Sequence, residues 1–229
     1  MQILGIIPAR GGSKGVLGKN KKLLGGRPLI SYTIMEAKAS SLSDVILSTD
    51  DPEIMDIGRQ LGLEVPFQRP DYLALDNTPS VEVVQHALDF LEDQGRSYEA
   101  VCLLQPTNPF RTAETISQAI EKYKEGIYDA VISVLLVPHQ FNPHWVFEEG
   151  ENGLKVSTGD ELLIQRRQEL PNAYYRDGSI YITDVPLLRR GHFIGKRTGY
   201  VIADASRHVN IDTQEDWEKA EQLLKSMSY

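Results

Sequence analysis

Cysteine is almost absent: Cys102 is the single one among 229 residues. One thiol excludes a disulfide framework and a cysteine-ligated zinc cluster, and its place in the apolar run 100–104 suits a buried, inert side chain. A reducing, cytoplasmic setting is expected. Long hydrophobic runs are missing as well. The apolar run at residues 3–8 is too short for a secretion signal, and no later stretch approaches ~18 uninterrupted apolar residues, so no membrane association is expected. Basic excess is the third absence. A net charge of -8 leaves little surface for counterion release, which argues against nucleic acid as a partner. With 41% hydrophobic and 24% charged residues the chain is neither disordered nor fibrous, and its length suits a single α/β domain over residues 1–229.

One absence is local. From Met1 to Met35 there is no Asp or Glu, while Arg10, Lys14, Lys19, Lys21, Lys22 and Arg27 all fall there. A cationic segment in an acidic protein suits a small polyanion. By charge alone, a solvated basic loop is an equal reading.

The apolar run 2–8 reads as a buried strand, followed at once by a glycine-rich loop. Pro28 in a first turn and Leu29, Ile30, Thr33, Ile34 and Ala37 at helical spacing predict a helix. A strand at 44–48 follows, then a helix capped by Asp51 that ends at Gly62, and a strand at 64–68. Thr78 and Pro79 predict a helix to about residue 94; strands at 100–105 and 130–137 flank a helix over 112–125. This alternation predicts an α/β, Rossmann-like fold, a mostly parallel sheet with helices on both faces. Residues 138–176 break it with Pro138, Pro143, Trp145 and a turn at 150–153, and read as an insertion. A strand at 179–183, a short helix near 186–190, a strand at 199–203 and a helix at 213–227 complete the chain.

Ligands of open α/β sheets lie beyond the carboxyl ends of the strands. The loop after the first strand, Ala9-Arg10-Gly11-Gly12-Ser13-Lys14-Gly15-Val16-Leu17-Gly18-Lys19-Asn20, joins glycines that admit an anion to backbone amides with three cations suited to phosphate. It is not a Walker A loop: no glycine stands five residues before Gly18, and Asn20 replaces the metal-binding Ser or Thr. It also lacks the Gly-x-Gly-x-x-Gly of dinucleotide folds, which disfavours a redox enzyme.

Ile7-Pro8-Ala9-Arg10-Gly11-Gly12-Ser13-Lys14-Gly15 with Lys19-Asn20 closely resembles the signature of the acylneuraminate cytidylyltransferases, which make CMP-sialic acid and related sugars. Further blocks agree in order: Val45-Ile46-Leu47-Ser48-Thr49-Asp50, Arg69-Pro70, Leu103-Leu104-Gln105-Pro106-Thr107-Asn108-Pro109-Phe110-Arg111, Arg167-Gln168-Glu169-Leu170-Pro171, Gly178-Ser179-Ile180-Tyr181-Ile182 and Ile211-Asp212-Thr213. The resemblance implies a Rossmann-like nucleotidyltransferase with residues 138–176 as an inserted dimerisation and sugar-binding element. It implies transfer of CMP from CTP to the anomeric hydroxyl of a nonulosonic acid, with release of pyrophosphate.

Residue by residue, it implies that Arg10 and Lys19 act in catalysis with Asp212, and that Gly11, Gly12, Lys14, Asn20, Arg69 and Ser80 help bind the nucleotide. Gln105 and Thr107 would face the sugar. Arg166 or Arg167 would take its carboxylate, reaching across a homodimer whose sites are shared, and Tyr174 and Tyr175 would pack on its substituents. Phosphoryl chemistry of this kind needs cations to neutralise phosphate oxygens.

One position departs from the pattern. The sialic acid enzymes carry two aspartates, two residues apart, for Mg²⁺; here Asn210 stands before Asp212, leaving Asp212 as the expected metal ligand. A non-catalytic nucleotide-binding homologue is therefore one alternative, and a CMP-Kdo-type synthetase another, though that family's first loop lacks the Gly-Gly-Ser-Lys-Gly and Lys-Asn blocks. Asp50 reads as a turn residue, His139 and His144 lack metal-ligand spacing, and Trp145 and Phe147 read as interface or core.

Overall fold

The computed structural model describes residues 1–151 and 153–227. In chain order its elements are β1 (Ile3–Pro8), β2 (Leu23–Leu24), β3 (Arg27–Pro28), α1 (Leu29–Ala39), β4 (Asp44–Ser48), α2 (Pro52–Gln60), α3 (Ser80–Glu92), β5 (Ala100–Leu104) and α4 (Ala113–Lys124). There follow β6 (Ala130–Leu136), β7 (Phe147–Gly150), β8 (Gly153–Val156), β9 (Tyr174–Asp184), α5 (Val185–Arg189), β10 (Thr198–Ile202) and α6 (Gln214–Met227).

Six strands form the central sheet in the order β10-β6-β9-β5-β1-β4. β1 pairs in parallel with both β4 and β5, and β10 with β6, so the sheet is mostly parallel as predicted. Both faces are covered, which explains why the strands read as continuous apolar runs. Along β1, Ile3 and Ile7 join α1, α2 and α4 in one core, while Leu4 and Ile6 join α3 and α5 in the other. A third cluster seats α6 through Trp217 and Ala220 against Val16 of the glycine loop. Because β4 and β5 lie on opposite sides of β1, the connection reverses there, and the crevice beyond β1 and β5 is where such sheets bind ligands.

Local chemistry sets the helix starts. Asp51 accepts hydrogen bonds from the amides of Glu53 and Ile54, and Thr112 from that of Thr115. At α6, Thr213 Oγ1 accepts from the Asp216 amide while the Asp216 carboxylate accepts from the Thr213 amide, a reciprocal capping box.

Several predicted boundaries shift. The strand expected at 64–68 reduces to one bridge between Ile46 and Glu64, because Pro66 has no amide hydrogen to extend a ladder. Thr78 does not cap α3: its hydroxyl donates to the carbonyl of Tyr72 inside the preceding loop, and the helix starts at Ser80. Tyr174, Tyr175 and Arg176 belong to β9, paired with Leu136, Leu135 and Val134. β9 itself runs antiparallel between β5 and β6, and its register shifts between Ile132 and Val134. That bulge contains Gly178 at φ +79°, which a side chain rarely adopts, and Asp177, whose carboxylate accepts from Ser133 Oγ and the Ser179 amide.

Within the segment 138–173 the expected turn at 150–153 joins a hairpin, β7 and β8, paired from Phe147 with Val156 to Gly150 with Gly153. Trp145 Nε1 donates to the carbonyl of Ile164 at 2.6 Å, tying the segment to itself. Phe141, Leu154 and Leu162 remain 63%, 73% and 84% exposed. Among the described residues no helix is long and apolar enough to cross a membrane.

Candidate active site

The glycine loop is shaped by short-range polar contacts. Ser13 Oγ donates to the carbonyl of Val16 at 2.6 Å and accepts from the Lys19 amide at 3.0 Å, turning the chain back on itself. The Gly11 amide donates to Asp50 Oδ1 at 3.0 Å, so Asp50 has the turn role expected of it. Asn20 Nδ2 donates to the Arg10 carbonyl at 3.0 Å, which fixes the amide and leaves Asn20 Oδ1 buried with no partner among the described residues.

Lys19 is unusual for a lysine in being 8% exposed. Its ammonium donates to the Ile211 carbonyl and lies 3.2 Å from Asp212 Oδ1. The other carboxylate oxygen of Asp212 accepts from Asn210 Nδ2 at 2.7 Å, so the residue that breaks the two-aspartate pattern still orients Asp212. Asn210 Oδ1 lies 3.4 Å from Asn108 Nδ2, and the Ile211 amide donates to the Thr107 carbonyl at 2.9 Å. These bonds join the segment before α6 to the loop after β5.

Arg69 is buried. Its Nε donates to Ser48 Oγ at 3.0 Å and an Nη to the Ser48 carbonyl, and burial pushes its guanidinium down to about 10, offset partly by Asp50. Arg10 and Lys14 both reach Asp76, each at 2.5 Å.

The fold gathers Arg10, Lys19, Asn20, Arg69, Ser80, Gln105, Thr107 and Asp212 around one cavity of about 260 Å³ beyond the ends of β1 and β5. Gly11, Gly12 and Lys14 line a shallow recess that shares Arg10 and Asp76 with it. Two buried oxygens at the cavity, Asn20 Oδ1 and Thr107 Oγ1, have no partner among the described residues, and buried polar atoms are rarely left so. Arg166, Arg167, Tyr174 and Tyr175 lie elsewhere. Arg166 is exposed near Glu169, Arg167 lines a separate groove with Pro138 and Pro171, Tyr174 packs on Tyr200, and Tyr175 is on β9 opposite Leu135. A larger cavity of about 340 Å³ is lined by Asn108, Arg111, Asp177, Arg207 and Val209 among others.

Two contributors were not singled out from sequence. Asp76 has no distinguishing neighbour sequence, and its pairing with Arg10 and Lys14 spans more than sixty positions. Arg111 is buried, with no carboxylate in ion-pair contact among the described residues: it donates to Ser179 Oγ, Thr33 Oγ1 and the Gln105 carbonyl, propping the end of β5. Its place in the Leu103 to Arg111 block was the only signal. Among the described residues no group of three or more His, Cys, Asp or Glu is placed to hold a metal.

A family model described as Cytidylyltransferase matches residues 4–229. The chain belongs to this cytidylyltransferase family. Its members transfer nucleotides, and this chain is a nucleotidyltransferase enzyme. A CMP-N,N'-diacetyllegionaminic acid synthase of Legionella pneumophila is 36% identical over 98% of this chain and 97% of its own length. A pseudaminic acid cytidylyltransferase of Campylobacter jejuni is 32% identical over 98% of the chain and 97% of its own. An N-acylneuraminate cytidylyltransferase of Escherichia coli is 32% identical over 96% of the chain, which spans 51% of that relative. Among solved structures, a CMP:2-keto-3-deoxy-manno-octonic acid synthetase complexed with CTP superposes with TM-score 0.73 at 15% identity, covering 99% of this chain and 100% of the other. A 4-diphosphocytidyl-2C-methyl-D-erythritol synthase of Anaerococcus prevotii gives 0.68 at 17% identity, covering 98% and 96%. These two likenesses establish the nucleotidyltransferase fold of this cytidylyltransferase.

Proposed function

We propose that this cytidylyltransferase transfers CMP from CTP to the anomeric hydroxyl of a nonulosonic acid and releases pyrophosphate. The carrying observation is the single cavity in which Arg10, Lys19 and Arg69 converge with the unpartnered oxygens of Asn20 and Thr107. Charge builds on the phosphate oxygens as the sugar oxygen attacks the α-phosphorus, so pre-placed cations stabilise that change without reorganising. Arg10 and Lys14 suit the outer phosphates, and Lys19 lies deeper. Asn20, Arg69 and Ser80 suit the rest of the nucleotide, with Gly11 and Gly12 admitting backbone approach, and Gln105 and Thr107 face the acceptor. The relatives matched over nearly their full length bear names for legionaminic and pseudaminic acid, which supports a nine-carbon acid over an eight-carbon one.

Mg²⁺ is the proposed cofactor. The donor set fits it: Asp212 offers a hard carboxylate at the cavity, 62% exposed, and Mg²⁺ is commonly held by one or two carboxylates plus phosphate oxygens and water. When bound, it would supply further neutralisation of phosphate charge. Asn210 would keep Asp212 oriented for it.

The reading extends to a cytoplasmic homodimer. The exposed Phe141, Leu154 and Leu162 of the segment 138–176 favour burial against a second copy, and Arg166, Arg167, Tyr174 and Tyr175, outside the cavity of their own chain, would serve the neighbour's sugar site. Sedimentation is expected to give a dimer; a fully active monomer at assay concentration would refute it. The function is tested by pyrophosphate release from CTP, GTP, UTP and ATP, each crossed with sialic, legionaminic, pseudaminic and Kdo acids. Release only with CTP and a nonulosonic acid is expected. CTP binding without turnover on any acid would favour the non-catalytic reading that Asn210 raises.

A further inference from the structure

The Asp76 carboxylate takes one cation on each of its oxygens: Arg10 Nη1 lies 2.5 Å from Oδ1 and Lys14 Nζ 2.5 Å from Oδ2. These are the two more exposed of the three cations at residues 10–19 of the glycine loop, and Asp76, in the loop that precedes α3, lines the same recess. Two oxygens facing two donors is also how one edge of a phosphate would be held. The geometry points to Asp76 as a built-in counter-anion, which competes with the phosphates of the nucleotide, and with departing pyrophosphate, for Arg10 and Lys14. The inference rests on the nucleotidyl-transfer reading of the cavity and adds a residue that sets anion affinity there.

The balance of charge and exposure favours exchange over permanent pairing. Lys14 is 83% exposed and Asp76 41%, so solvent screens the pairs and each is weak. A polyphosphate brings more charge to the same donors and displaces a single carboxylate. A lone small anion gains less and is held off, which is specificity by internal competition. Once the α-phosphoryl bond to the leaving group is broken, the carboxylate offers both cations a partner as pyrophosphate departs. The lowered pKa of Asp76, caused first by Lys14 and then by Arg10, keeps it anionic for this exchange.

The test is calorimetric titration of inorganic pyrophosphate, without divalent metal, into the wild-type protein, Asp76→Asn, Asp76→Ala and Arg10→Ala, with melting curves to confirm folding. Both Asp76 variants are expected to bind pyrophosphate about threefold to tenfold more tightly than wild type, the range set by two screened ion pairs. In turnover they should show a lower KM for CTP with stronger product inhibition by pyrophosphate. Unchanged or weaker affinity in both variants overturns the inference, and if Arg10→Ala still weakens binding, the nucleotide reading survives without it. Pyrophosphate bound by none of the four proteins overturns the phosphate site and the inference together.

Discussion

A β-carbon on Gly15 would stand 1.9 Å from the carbonyl oxygen of Asp212. Backbone meets backbone there, so the glycine loop lies directly on the segment that carries the expected metal ligand. Gly15→Ala should separate the two. A displacement on the order of 1 Å at a reacting centre costs about 10²-fold in rate. The variant is expected to lose that much kcat/KM for CTP while remaining folded in a melting curve; near wild-type turnover would mean that the loop and Asp212 act independently.

Lys19→Ala should lower turnover more than it lowers stability. The lost bonds to the Ile211 carbonyl and Asp212 are expected to cost about 1–3 kcal/mol of folding free energy. Loss of a cation aimed at developing phosphate charge typically costs about 10²-fold or more in kcat. Parallel chemical denaturation and steady-state kinetics measure both, and unchanged kcat in a folded variant removes Lys19 from the mechanism.

Asp212→Asn should abolish most Mg²⁺-dependent activity, since no carboxylate would then remain at either member of the pair. Asn210→Asp should act in the opposite sense. It replaces the donor that lies 2.7 Å from Asp212 Oδ2 with a second carboxylate, so a bound cation is required to relieve repulsion. Tighter Mg²⁺ binding with activity retained is expected, read by metal titration. An Asp212→Asn protein with wild-type Mg²⁺ dependence would place the metal elsewhere.

Acid should destabilise the fold in two stages. Burial pushes His86 and His208 below the ordinary value of 6.5, partly opposed by Asp89 and Asp177 respectively. A base with a lowered folded pKa takes its proton first in the unfolded chain, so its stability contribution is complete above about pH 6.5 and declines as pH falls below that. Asp216, lowered first by the Thr213 hydroxyl, and Asp76 have pKa values below 3.8, so their contribution is lost only at more acid pH. Melting temperature should therefore begin to slope downward as pH falls below about 6.5, with a further decline below about pH 4. A double His86→Gln, His208→Gln variant should flatten the first slope; its persistence would assign that slope to other groups.

The amino-acid sequence by itself determined most of the elements and named many of the residues that line the candidate cavity. Each strand carries its burial pattern in a short stretch, each capped helix its start in two or three residues, and the loops after β1 and β5, which the pattern puts at the ligand end of the sheet, carry Arg10, Lys19, Asn20, Gln105 and Thr107; Asp212, just before α6, was named by the family resemblance alone. The antiparallel setting of β9 was not legible, because an isolated strand has the same period in either direction; direction is decided by its neighbours β5 and β6. Nor was the strand at 64–68 correctly read, since its apolar residues outweighed one proline. The pairing of Asp76 with Arg10 and Lys14, the propping of Gln105 by buried Arg111, and the contact of Gly15 with Asp212 were decided by the tertiary structure alone. Charge neutralisation and steric fit act through space, between residues whose separation along the chain carries no periodic signal.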